Sequence, residues 1–125
     1  MKIGIVEPQD FSNKAENYLL SIGAVFMFDD TNGSLENFIC DKDVLFVRLK
    51  YFYNEKLLCK AKKLKFICSP TTGLNHIDEE FCKKKNIIII SLKDEKEFLS
   101  NNITATAEYT WALFLCAWRK IFFSY

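Results

Sequence analysis

The side chains best suited to binding or reacting with a ligand gather in the stretch 65–85, KFICSPTTGLNHIDEEFCKKK. Its loop, 70–75, carries Thr71, Thr72 and Gly73, and a glycine free to adopt positive φ lets neighbouring amides turn toward one point. Amides and hydroxyls that follow a strand in an α/β protein are suited to holding a small anion, although the same residues also serve as plain turn formers. A second group is Arg48 with Lys50, just after the apolar run Val44-Leu45-Phe46-Val47. A guanidinium can grip a carboxylate in two places; the bland alternative is a solvated rim. The single histidine, His76, lies in the loop motif and is given no chemistry. The five cysteines, Cys40, Cys59, Cys68, Cys82 and Cys116, include no C-x-x-C pair, so no metal set is expected. They read as reduced core residues, which points to the cytoplasm.

Phe66, Ile67 and Cys68 form a short apolar strand that Ser69-Pro70 stops, which sets the start of the polar loop. Asp78 is a suitable N-cap for the helix after the loop. Glu79 and Glu80 fall in its first turn and the lysines 83–85 in its last, as the helix dipole favours. Ile77 and Cys82 stand at the two positions of a hydrophobic staple. Upstream, strands are predicted at 3–6, 24–28 and 44–47. Phe11, Ala15, Tyr18, Leu19 and Ile22 define one face of a first helix that Gly23 closes. Residues 35–39 predict a short helix, and Asn54 caps another through Lys63, with Leu57, Leu58 and Ala61 inward. Ile87 to Ile90 reads as a fully buried parallel strand. Five apolar strands with helices between them predict a doubly wound α/β fold. Its parallel sheet has the flavodoxin-like order 2-1-3-4-5, because crossovers are right-handed.

Beyond the fifth strand, 91–102 reads as a charged connection. The segment 104–123 reads as a helix that is apolar nearly all round between Trp111 and Trp118. A helix apolar on every side needs burial on every side, so this element predicts a partner, most simply a second copy.

Composition bounds the function. At 125 residues the chain is a single-domain length, and 17 basic against 16 acidic side chains create no field that would gather nucleic acid or anionic lipid. The opening apolar residues are broken by Glu7 and Asp10, unlike a secretory signal, and the run from Trp111 to Trp118 is too short to span a bilayer. A phosphoacceptor receiver would need an aspartate after the third strand, where this chain has Arg48-Leu49-Lys50. A flavin-phosphate loop would need hydroxyls after the first strand, where it has Glu7-Pro8-Gln9-Asp10.

The segments SPTTGLNHID and NNITATAEYTWAL, with the isoleucine strand between them, resemble the N-terminal part of the D-isomer-specific 2-hydroxyacid dehydrogenases, the group that includes phosphoglycerate dehydrogenase. The resemblance runs to Lys120. It implies a substrate domain, 1–103, and a helix, 104–125, that leads into an NAD-binding domain. It also implies that backbone amides of Thr72 and Gly73 hold the carboxylate of a small 2-hydroxy or 2-oxo acid, that Asn102 contacts substrate, and that Thr106 lines a nicotinamide pocket. Asn102 could instead cap the last helix, and Glu108 reads as a dipole partner. The family's catalytic Arg, Glu and His belong to its later part, so no catalytic residue is expected in this chain. Gly4, Gly23, Gly33 and Gly73 lie too far apart for G-x-G-x-x-G, so no NAD is expected on these residues alone. The alternative is a non-catalytic flavodoxin-like module that binds a small carboxylic acid or a protein.

Overall fold

The computed structural model describes residues 1–31 and 33–120. It contains two compact units, Met1–Lys93 and Asp94–Tyr125. In the first, strands β1 (Lys2–Ile5), β2 (Ala24–Met27), β3 (Val44–Phe46), β4 (Phe66–Ser69) and β5 (Ile88–Ser91) form one parallel sheet in the order 2-1-3-4-5, as the sequence predicts. Helices α1 (Asn13–Ile22), α2 (Leu35–Ile39), α3 (Glu55–Leu58) and α4 (Glu79–Lys84) connect them. The second unit holds α5 (Lys96–Asn102) and α6 (Ala105–Trp118).

The register explains the two cores. Ile3 pairs with Val25 and Val44, Val44 with Phe66, and Phe66 with Ile88, so five apolar side chains line up across one face. Ile5, Met27, Phe46, Cys68 and Ile90 form the next row on that face. Leu19 of α1 packs there with Ile3, Ile5 and Val44. The opposite face presents Leu45 and Ile67, which pack with Ile39, Leu58, Phe81 and Cys82 from α2, α3 and α4. Gly4 lies in this layer because there is no room for more: a Cβ there would come within 2.9 Å of Leu45 Cδ2.

Several local expectations need correcting. Ile88 and Ile90 are 55% and 53% exposed, because β5 is one of the two outer strands and its row ends at the sheet margin. In α1 the inward face centres on Leu19 with Ala15 and Glu16, whereas Tyr18 and Ile22 are exposed. Gly23 does close α1, but in extended conformation (φ −173°). A side chain at Gly23 would meet the Met1 carbonyl at 2.7 Å, and that carbonyl accepts the Ala24 N–H. Asn54 caps α3 through the Leu57 N–H, but α3 ends at Leu58. The chain then tightens into i→i−3 bonds, Ala61 to Leu58 and Leu64 to Ala61, which bury both Ala61 and Leu64. The charged connection contains α5, which buries no residue and so leaves no apolar period to read. Cys40 and Cys59 are exposed at helix C-caps, their thiols donating to the Asn37 and Lys56 carbonyls. Residues 121–123 of the predicted final helix lie outside the described residues.

Candidate functional site

In a parallel sheet all strand carboxyl ends meet at one edge, and the loops after adjacent strands become neighbours. The loops after β1, β3 and β4 meet in this way: the Val6 N–H bonds to the Phe46 carbonyl and the Val47 N–H to the Cys68 carbonyl. The topology thus makes the loop after β3, which carries Arg48 and Lys50, a neighbour of the loop after β4, which carries Thr72 and Gly73.

Glu7 organises the first half of this edge. Its carboxylate accepts the backbone N–H groups of Arg48 (2.9 Å) and Lys50 (3.2 Å), fixing the turn between them. The Arg48 guanidinium donates from Nη1 to the Gln9 carbonyl at 3.0 Å, and among the described residues no carboxylate pairs with it. Lys50 is engaged differently: its ammonium pairs with Asp30, which raises the lysine pKa and lowers that of the aspartate. Tyr51 also donates to Asp30, at 3.3 Å.

The second half is built from β4 onward. Ser69 and His76 are buried, and their side chains meet at 3.4 Å between Oγ and Nε2. Ser69 Oγ lies 2.8 Å from Thr71 Oγ1, which donates to the Gly73 carbonyl at 2.8 Å. The backbone N–H groups of Thr72, Gly73 and Leu74 have no acceptor among the described residues. Gly73 does not take the positive φ expected of it; the turn forms at ordinary φ, and a Cβ there would meet nothing within 4 Å. A short bridge ties the two halves: the Tyr53 N–H bonds to the His76 carbonyl at 2.7 Å and the Asp78 N–H to the Tyr53 carbonyl at 3.0 Å. Asp78 then caps α4 through the Phe81 N–H at 2.9 Å, and Ile77 and Cys82 are buried in one cluster, as the predicted staple requires. Burial lowers the His76 pKa, opposed by the charge of Glu7. The same burial pushes the Tyr53 phenol above its ordinary range.

The remaining candidates lie in the second unit. Asn102 ends α5 and donates from Nδ2 to the Phe98 carbonyl at 2.9 Å. It does not cap the last helix: α6 begins after Thr104, whose hydroxyl donates to Glu108 at 2.7 Å in the first turn. Ile103, the C-cap of α5, separates Asn102 from that position. Thr106 lines an apolar recess of this unit with Ile103, Ala107, Thr110, Trp111 and Phe114. Among the described residues no cluster of His, Cys, Asp and Glu could hold a metal, and no helix is long and apolar enough to cross a membrane.

Glu7 escapes a reading by motif, as does the link from Ser69 to Thr71 and His76 within the motif. Glu7 acts on residues more than forty positions away, so only the adjacency of β1 and β3 in the sheet order could have found it.

Residues 10–112 match the family model of the D-isomer specific 2-hydroxyacid dehydrogenase catalytic domain. The chain belongs to this family. Erythronate-4-phosphate dehydrogenase of Psychromonas ingrahamii is 40% identical over 77 residues, 62% of this chain and 20% of that protein. The PH0520 protein of Pyrococcus horikoshii superposes with a TM-score of 0.73 at 25% identity, over 98% of this chain and 35% of that one. D-Lactate dehydrogenase of Aquifex aeolicus, solved with NAD and lactic acid, shares the fold at a TM-score of 0.72 and 22% identity, over 91% of this chain and 33% of that one. The chain therefore spans about a fifth to a third of the length of these proteins.

Proposed function

We propose that the chain is the substrate domain of an NAD-dependent D-2-hydroxyacid dehydrogenase, with 1–103 as that domain and 104–125 leading toward a nucleotide-binding domain. The observation that carries this reading is the edge after β3 and β4. Three amides without acceptors, at Thr72, Gly73 and Leu74, follow β4, and the loop after the neighbouring β3 carries Arg48, unpaired with any described carboxylate. Amides plus a guanidinium form a carboxylate holder, because each charge-assisted bond is stronger than a neutral one. Lys50 adds a second charge when it exchanges from Asp30, and the family resemblance assigns Asn102 a substrate contact. Hydride transfer between C2 of the acid and NAD belongs to the complete enzyme.

These residues do not fit a dinucleotide pyrophosphate. Gly4 is packed inside β1 and Gly23 against the Met1 carbonyl, so neither offers backbone to a phosphate. The cofactor's contact in this chain is limited to Thr106, beside a nicotinamide held by the other domain. A cytoplasmic location and a homodimer through α6 complete the proposal. Because the relative from Psychromonas ingrahamii carries the name erythronate-4-phosphate dehydrogenase, 4-phosphoerythronate is the first acid to test.

Titration calorimetry on this chain should show 4-phosphoerythronate binding, weakened about 10-fold to 100-fold by Arg48→Ala, as loss of charged hydrogen bonds implies. Gly73→Val should abolish binding while leaving thermal stability within about 0.5 kcal/mol, since its side chain enters open space in the fold. NADH should not bind with micromolar affinity. No acid binding, or tight NADH binding, would overturn the assignment.

A further inference from the structure

The loop that presents the three amides is anchored from beneath by a chain of side chains with a fixed direction. The Gly73 carbonyl can only accept, so Thr71 Oγ1 spends its proton on it, at 2.8 Å. Thr71 Oγ1 can then only accept from Ser69 Oγ, at 2.8 Å, and Ser69 Oγ must in turn accept from His76 Nε2, at 3.4 Å. A neutral His76 satisfies this chain in one tautomer, with hydrogen on Nε2. Both ends are held: His76 and Ser69 are buried, and the His76 carbonyl is fixed by the Tyr53 N–H. In a trans peptide the N–H of residue 74 points opposite to the C=O of residue 73, so tying down that carbonyl turns the Leu74 N–H away from Thr71.

We propose that His76 is a positioning residue: as the Nε2–H tautomer it orders the loop 71–74 through Ser69 and Thr71 and so aims the Thr72, Gly73 and Leu74 amides at a carboxylate. The role of the amides rests on the proposed function above, whereas the ordering of the loop does not. His76 itself touches no reacting atom. Its contribution is to hold several peptide dipoles in place before the anion arrives, which reduces the ordering that binding would otherwise require.

The experiment is nuclear magnetic resonance on this chain at neutral pH, followed by titration with 4-phosphoerythronate. In the unsubstituted protein the imidazole nitrogen shifts should report hydrogen on Nε2. The amides of Thr72, Gly73 and Leu74 should show order parameters near the rigid value of about 0.85. His76→Phe and Thr71→Val should each drop these order parameters below about 0.6 and weaken acid binding at least fivefold. His76→Gln, which keeps an N–H near the Nε2 position, and Thr71→Ser, which keeps the hydroxyl, should restore both within about twofold. Should His76→Phe fail to fold, the tautomer and the Thr71 pair decide the matter alone. Hydrogen on Nδ1 instead, or a loop equally rigid in Thr71→Val, overturns the proposal. A loop that responds as stated in a protein that binds no acid would uphold the positioning chain and sink the proposed function instead.

Discussion

Tyr53 carries the structure's most conspicuous polar cost. Its ring is completely buried, packed edge-on against His76, while its hydroxyl finds no acceptor among the described residues. An unpartnered buried hydroxyl costs about 1–3 kcal/mol, so Tyr53→Phe should raise stability by about 1 kcal/mol in urea melts, and a loss of that size would show that the hydroxyl is bonded. Asp41 acts in the opposite sense. Lys2, at 2.7 Å, and the buried Lys42 both donate to it, and these bonds hold its pKa down at about 2. Lys42 is itself placed between the Phe26 and Phe38 rings, 4.6 Å from each. A carboxylate depressed in the folded state stabilises it fully above the unfolded value of about 3.9, and that stability disappears as pH falls toward 2. Thermal melts should therefore show a steep loss between about pH 4 and pH 2 that is shallower in Asp41→Asn. At this scale the sequence showed the polar loop and its glycine, because hydroxyls and Gly after an apolar run need no partner to be noticed. It concealed Glu7 and the Ser69–Thr71 link, whose meaning depends on where distant strands come to rest.

Among the elements, α4 was the most legible, since cap, dipole charges and staple all lie within eight residues of one another and all appear in the fold. The short α3 and the exposed α5 were not, because the first exchanges helical bonds for tighter turns and the second has no buried face to create a period. The order of the sheet could be read, but the exposure of β5 could not: four isoleucines look the same in a central strand and in an outer one. In α6, Trp111 and Phe114 meet edge to face and Phe114 stacks on Trp118, and all three rings are exposed. Each such side chain forfeits roughly 1.5–3 kcal/mol while it remains in water. Light scattering over a concentration series should thus report a dimer, and Trp111→Glu with Trp118→Glu should convert it to a monomer. A parent protein that is monomeric at every concentration would remove α6 from the interface.

Across the whole sheet, each ladder joins strands that lie one helix or more apart in the chain; Ile3, near the start, has to wait for Val44 before its second side is covered. The outer strand, with Ile88 and Ile90 on its open row, is the last of the five to be synthesised. A nascent chain therefore carries bare, sticky rows until β5 emerges, and non-local pairing of this kind is intrinsically slow. Diluting unfolded protein from urea should give yields that fall as protein concentration rises, and Ile88→Thr should recover part of the loss, as turbidity would report. The isoleucines that complete the sheet are thus also its exposure to aggregation for as long as β5 stays unpaired.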